Sequence, residues 1–140
     1  MMTAIEQILI NNRNIVAASN GDTNLVEKLL DEGAEIHAAH DYALCRSTDG
    51  GHTETTALLL DRGADIRARH HYALKSAVGS GHADMITTIL SRYKITELES
   101  LKDATNGALG GMEKLQPIVR MEIARRIAQI IITDQPPMEI

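Results

Sequence analysis

Hydrophobic and polar positions recur along this chain with a period of thirty residues. Tyr42-Ala43-Leu44 returns as Tyr72-Ala73-Leu74, and Gly51-His52 returns as Gly81-His82. One period earlier, the stretch 29–36 matches 59–66 in its Leu-Leu-Asp, Gly-Ala and Ile positions. Such self-similarity predicts a solenoid, in which each unit buries its apolar side against its neighbours. We number the repeats first (up to residue 36), second (37–66) and third (67–96).

Each repeat is predicted to contain two short helices. The first helix opens with Tyr-Ala-Leu and is ended by Gly51 or Gly81. The second helix ends at Gly33 or Gly63, where glycine suits the left-handed residue that follows a helix. The pattern therefore predicts an all-α solenoid with these helix pairs: 41–49 with 53–62, and 71–79 with 83–92.

The two ends of the chain are predicted to be helical caps. Thr3 and Glu6 form the pattern of a capping box, which starts one long helix or two short ones over 4–19, followed by a partner helix over 23–31. Beyond the third repeat the glycine signal is lost, and helices are predicted at 97–108 and 114–132. We expect one domain over 1–140: a cap with the first repeat (1–36), the second and third repeats, and a degenerate repeat with a C-terminal cap helix (97–140).

These residues resemble the ankyrin repeat, through Gly63-Ala64-Asp65-Ile66, Tyr72-Ala73-Leu74 and Gly81-His82. The resemblance is good over about 12–96 and faint over 97–120. It implies paired antiparallel helices and a role in binding other proteins. The common unit has 33 residues, so the missing three imply that the projecting hairpin is cut down to a tight loop. The short variety is similar to ankyrin proteins of large DNA viruses and some bacteria.

Composition and charge remove several classes of function. The chain has no Trp, no Phe and only three Tyr, so its core must be aliphatic, and its net charge is −5. An acidic balance makes nucleic acid an unlikely partner. Apolar runs such as Ala57–Leu60 are far too short for a membrane span. Cys45 is the single cysteine, which indicates a reducing compartment, and we expect the cytoplasm.

No arrangement of reactive residues predicts catalysis. The histidines near residue 40 and residue 70 recur with Cys45 nearby, but their spacing matches no zinc motif. Cys45 is expected at an exposed or half-exposed position of the first helix, without a catalytic signature around it. We therefore expect no enzyme, no metal and no cofactor.

The loops between repeats carry positive charge, whereas the second helices lean acidic. The resemblance implies that loop tips and first helices form the concave binding surface of the solenoid. The sequence predicts a partner protein with an acidic surface, which this chain binds and blocks as an inhibitor, immunity-type or host-targeting factor. We call the following residues the predicted binding face: His37, His40, Arg46, Asp49, Arg67, Arg69, His70, His71, Lys75 and Ser80.

The alternative is a structural homo-oligomer. The last predicted helix carries an apolar stripe that runs past the repeats, and a homodimer would form through Ile127, Ile130 and Ile131.

The second repeat is also predicted to be the weakest unit. Thr55 and Thr56 stand where its neighbours have Leu25-Val26 and Met85-Ile86. Burying a threonine gains less than burying an aliphatic side chain, and its hydroxyl needs a partner.

Overall fold

The computed structural model describes residues 2–103 and 115–134, and every regular element in those ranges is an α-helix. They fall into two compact units, Met1–Arg92 and Tyr93–Ile140. The helices are α1 (Ala4–Ser19), α2 (Thr23–Asp31), α3 (Ala38–Asp49), α4 (Thr53–Asp61), α5 (Ala68–Ser80), α6 (Ala83–Leu90), α7 (Ile95–Asp103) and α8 (Leu115–Asp134).

The first unit is a stack of three helix pairs, as the thirty-residue period predicts. The first helices α1, α3 and α5 pack side by side in one layer, and the second helices α2, α4 and α6 pack in another. Leu29, Leu59 and Ile89 occupy the same register position and are fully buried. Each contributes about 1.5–3 kcal/mol by leaving water. This aliphatic ladder forms the continuous core.

The first repeat departs from the other two in its first helix. α1 is a single straight helix of 16 residues that begins with the predicted capping box, because Glu6 N donates to Thr3 Oγ1 and Thr3 N donates to Glu6. Asn14 stands at the position where the second and third repeats have the buried leucines Leu44 and Leu74. It is buried, and its Oδ1 has no hydrogen-bond partner in the described part of the chain. The apolar face of α1 points outward, as described below.

The turn between the two helices of a repeat requires glycine for two reasons. Gly21 has φ of +71°, and a Cβ placed on it would lie 2.4 Å from His52 Nδ1. The His52 ring lies against this turn of the first repeat, and its Nε2 donates to Ser19 O at 3.0 Å. One period later, a Cβ on Gly51 would lie 3.0 Å from His82 Nε2, so the His82 ring lies against the turn of the second repeat. The Gly-His pair therefore joins each repeat to the previous one.

The second unit is a helix pair. α7 packs on α8, and Leu98, Leu101, Val119 and Ile123 are buried. Arg126 donates to Tyr93 O, and its Nε donates to Glu122 Oε1 at 2.9 Å. The predicted helix over 97–108 is observed as far as Asp103, and its last residues lie outside the described part of the chain. The assignment of 97–140 as a cap on the solenoid stays a prediction.

Candidate functional site

Two left-handed turns form the inter-repeat loops on which the predicted binding face lies. Ala39, His40 and Asp41 all have positive φ, between 53° and 58°. Arg69, His70 and His71 repeat the same conformation with φ between 56° and 60°. The left-handed region costs roughly 1–2 kcal/mol for each residue other than glycine. Three such residues in succession require compensating contacts. The tight loop predicted from the missing residues is thus a left-handed turn.

Asp41 supplies one compensating contact in the second repeat. It is buried, and its Oδ1 accepts from Asp65 N at 2.9 Å and from His37 Nδ1 at 2.9 Å. The first repeat uses Asn11 in the same way, because its Oδ1 accepts from Glu35 N at 2.8 Å. In both repeats a side chain at the same position of the thirty-residue period holds the loop that follows the second helix.

Arg69 supplies the other compensating contact. Its guanidinium donates to Ala39 O at 2.8 Å and to His40 O at 3.2 Å. The same group lies 5.1 Å from the centroid of the Tyr42 ring, within the range of a cation–π contact. Arg69 is therefore exposed but bound to the left-handed turn of the previous repeat. It stabilises the loop in addition to any part it takes in binding.

Asp49 connects the first helices of the second and third repeats. Its carboxylate accepts from Tyr72 Oη at 2.7 Å and 3.0 Å and from Ser76 Oγ at 2.9 Å. The hydrogen bond to Asp49, assisted by burial, raises the pKa of Tyr72 to about 12. Arg46 lies 4.0 Å from Asp49 and donates to Ser19 Oγ at 3.1 Å. A polar network thus crosses all three first helices.

The remaining residues of the predicted binding face divide by what their side chains contact. Four of them make no side-chain hydrogen bond or ion pair with the described part of the chain: His40, His70, Lys75 and Ser80. Lys75 is half-buried, and the other three are exposed. His37 is exposed and engages Asp41. Arg67 is exposed, and its backbone N–H donates to Asp65 Oδ1 at 2.9 Å. His71 is half-buried in the second left-handed turn.

Three residues that the sequence pattern does not assign to this face contribute to it. Asp41, Tyr72 and Ser76 hold the loops and first helices in place. The repeated Tyr-Ala-Leu was visible as a signature, but its tyrosine hydroxyl has a partner 23 residues away. Only the fold brings the two together.

Cys45 corrects one expectation from the sequence. It was expected to be exposed or half-exposed, but only 2% of it is accessible. The reason is that α3 packs between α1 and α5 and against α4, which leaves the side with Tyr42 and Asp49 exposed and covers the side with Cys45. Burial raises the pKa of the Cys45 thiol, which disfavours the reactive thiolate. Within 2–103 and 115–134, no cluster of three or more His, Cys, Asp or Glu is arranged to hold a metal.

The apolar stripe predicted on the last helix is exposed in the second unit. Ile127, Ile130 and Ile131 are 43%, 50% and 55% accessible. On the opposite side, Glu122 accepts from Arg125 and Arg126, and these hydrogen bonds, chiefly that of Arg125, lower its pKa. No helix in the described ranges is both long enough and apolar enough to cross a bilayer.

Comparison with known proteins identifies the family. Residues 15–98, more than half of the chain, match the family described as ankyrin repeats (3 copies). The matched range begins in the last turns of α1 and covers α2 to α6 with the two left-handed turns. The chain matches no curated protein. It therefore belongs to the ankyrin-repeat family, whose members are generally protein–protein interaction modules and typically non-catalytic.

Proposed function

We propose that this chain is a non-catalytic module that binds a partner protein through the predicted binding face and blocks the surface it covers. The observation that carries the proposal is a set of exposed polar and cationic side chains on the two left-handed turns and the first helices. His40 and His70 project from two left-handed turns one period apart, and Lys75 follows on α5. Their positions are fixed by Asp41, Arg69 and Asp49.

The charge of this face favours an acidic partner. Arg46, Arg67 and Lys75 lie on or beside it, although the whole chain carries a net charge of −5. Rim charges act mainly on the association rate, and salt screens exposed charges beyond about 8–10 Å. We infer an inhibitor, immunity-type or host-targeting factor that acts in the cytoplasm, where its single cysteine would stay reduced.

Charge reversal on the predicted binding face tests this function. The partner is first captured from an extract by cross-linking, identified by mass spectrometry and purified. Its association kinetics are then measured with the native chain, with Arg67→Glu/Lys75→Glu, and with Glu54→Lys as a matched control on the acidic α4. The double variant should slow association several-fold and reduce its salt dependence, whereas the control should leave both unchanged. Arg69 is left intact because its change would also disturb the loop.

The result that would overturn the assignment is equally specific. If the double variant keeps the native association rate while Ile127→Ser or Ile131→Ser abolishes binding, recognition runs through α8 and the predicted binding face is wrong.

A second candidate function is self-assembly through α8. The exposure of Ile127, Ile130 and Ile131 favours it, because contiguous exposed apolar side chains mark contact surfaces more often than random positions do. Sedimentation velocity over a range of concentrations tests it. A dimer that Ile130→Ser/Ile131→Ser dissociates would support α8 as its interface.

A further inference from the structure

The outward face of α1 is apolar. Ile5, Ile8, Leu9 and Val16 are 57–71% accessible, although they are spaced as the buried face of a helix would be. With Leu25 of α2, Leu9 and Val16 line an open groove of about 380 Å³. We call this surface the α1 groove.

The register of the repeats shows what kind of surface the α1 groove is. Thirty residues after Leu25 stands Thr55, which is buried and hydrogen-bonded to Thr23 of the previous repeat. Sixty residues after Asn12 and Val16 stand Tyr72 and Ser76, which donate to Asp49 of the previous repeat. The α1 groove therefore corresponds to the stacking face that the second and third repeats cover with helices. Within residues 2–92, no helix covers it.

The spacing on α1 matches the seam of a two-helix coiled coil. Ile5, Leu9, Asn12 and Val16 are separated by four, three and four residues, which is the alternation of core positions in a heptad. Asn14 lies on the opposite side of the helix and is buried in the first repeat. The seam therefore faces solvent while the rest of α1 holds the stack together.

The charged residues beside the seam indicate which helix can pack on α1 and whether it runs parallel or antiparallel. Glu6 and Arg13 are exposed, are seven residues apart and so lie on the same flank of the seam, two turns from each other. When two copies of α1 pair antiparallel with their seams in contact, Ile5 faces Val16 and Leu9 faces Asn12 of the other copy. The two-fold axis then passes between Leu9 and Asn12 and brings this flank of one helix beside the same flank of the other. Glu6 of each copy then meets Arg13 of the other. In a parallel pair the same flank would meet isoleucines, Ile8 and Ile15.

We propose that the α1 groove is occupied by α1 of a second copy of this chain, packed antiparallel, with the two-fold axis between Leu9 and Asn12. The pair buries the apolar seam and forms two symmetric Glu6–Arg13 ion pairs. Asn12 near the centre fixes the register, as a single buried polar residue does in coiled coils. The dimer displays two predicted binding faces at once. This interface depends neither on the proposed partner nor on α8.

Disulfide cross-linking of the full chain tests the direction of the pair. Isotope-labelled Ile5→Cys is mixed with unlabelled Val16→Cys, and mild oxidation should give the mixed covalent dimer, because position 5 of one copy lies level with position 16 of the other. Two thiols at position 5 lie about 16 Å apart along the helices at a rise of 1.5 Å per residue, well beyond the few Å that a disulfide spans, and should give little dimer of like copies. Cross-linking of like copies in place of the mixed dimer would indicate a parallel pair and overturn the proposal. Absence of the mixed cross-link would overturn it as well.

A charge swap tests the partner without touching the seam. Arg13→Glu should weaken the dimer about tenfold in sedimentation equilibrium, because each ion pair becomes a repulsion. The swapped double variant Glu6→Arg/Arg13→Glu should recover the native dissociation constant to within a factor of about three. Because Glu6 also accepts from Thr3 N in the capping box, Glu6→Arg alone is measured beside the double variant, with circular dichroism of both, to separate loss of the cap from loss of the ion pair.

Two outcomes would reject the α1 pair. One is a chain that stays monomeric at every concentration reached. The other is a dimer that survives Leu9→Ser/Val16→Ser but dissociates in Ile130→Ser/Ile131→Ser, which would assign self-association to α8. Cross-linking of α8 to the α1 groove between copies would likewise replace α1 as the occupant.

Discussion

The second and third repeats share one backbone but fill their cores in different ways. In the second repeat, Ser47, Thr48, Thr55 and Thr56 are buried, and the Thr56 hydroxyl lies 2.9 Å from Ser47 Oγ. In the third repeat the matching positions of Ser47 and Thr48 are Ala77 and Val78, both buried. The matching positions of Thr55 and Thr56 are Met85, fully buried, and Ile86, half-buried.

The difference teaches that register, rather than side-chain chemistry, decides which positions are buried. The second repeat satisfies its hydroxyls internally, because Ser47 also donates to Leu44 O and Thr48 donates to Cys45 O. A hydrogen bond contributes about 0.5–1.5 kcal/mol net, whereas an aliphatic side chain at the same place contributes about 1.5–3 kcal/mol. The second repeat therefore remains the predicted weak unit, although its hydroxyls are paired.

The largest effect on stability is expected when a buried apolar side chain is removed from the core of the third repeat. Met85→Ala should lower the free energy of unfolding by about 2–5 kcal/mol, because it leaves a cavity at a fully buried position. Thr55→Ala at the matching position should cost only about 1–2 kcal/mol, since the half-buried Thr23 hydroxyl can turn to water. Urea denaturation measures both. Equal losses would mean that the two cores do not differ as described.

Removing Asp41, which holds the loop of the second repeat, should lower the free energy of unfolding by about 2–3 kcal/mol. Asp41→Ala leaves Asp65 N–H and His37 without their acceptor and places alanine at a φ of 58°. Asp41→Asn keeps the acceptor and tolerates the left-handed conformation, as Asn11 keeps the same contact in the first repeat. Its cost should stay below about 1 kcal/mol. Equal thermal shifts for the two variants would contradict this role.

Replacing buried hydroxyl side chains of the second repeat by the apolar residues found in the first repeat should stabilise the fold. Ser47→Ala/Thr56→Val reproduces the Ala17 and Val26 of the first repeat and should gain about 0.5–1 kcal/mol, because both hydrogen-bonding partners are replaced together. Thr56→Val alone should gain less, since Ser47 then loses a donor. A double-mutant cycle by chemical denaturation measures the coupling. A single variant as stable as the double would show that the hydroxyl pair contributes nothing.

The smallest effect concerns the link between the two repeats at high pH. The pKa of Tyr72 is raised in the folded state to about 12. Its contribution to stability is therefore complete below the unfolded value near ~10 and is lost as pH rises towards 12. The phenolate titration of Tyr72, taken as the absorbance difference between the native chain and Tyr72→Phe, should have a midpoint near 12. Asp49→Asn should move that midpoint down, and an unmoved midpoint would exclude Asp49 as its cause.

Much of the fold was predictable because the period and the glycines fix where helices end. The predicted boundaries of the second helices agree with α4 and α6 to within two residues. The burial of Cys45 was not predictable, because the pattern of α3 alone does not show which of its sides the neighbouring helices cover. The anchoring contacts of Asp41, Arg69 and Asp49 join residues at least 23 positions apart. They depend on the stacking and not on any local motif.

The ion pairs on the second helices have a consequence for how such a gene can change. Arg62 pairs with Asp31 at 2.6 Å, and Arg92 pairs with Asp61, so each contact joins positions thirty-one apart. Duplication of a thirty-residue segment gives the new unit its own aspartate and arginine at the spacing that these ion pairs require. Loss of 37–66 would bring Arg92 into phase with Asp31. An insertion inside one of these helices would turn the residues that follow it away from their partners, whereas gain or loss of a whole unit keeps the ion pairs.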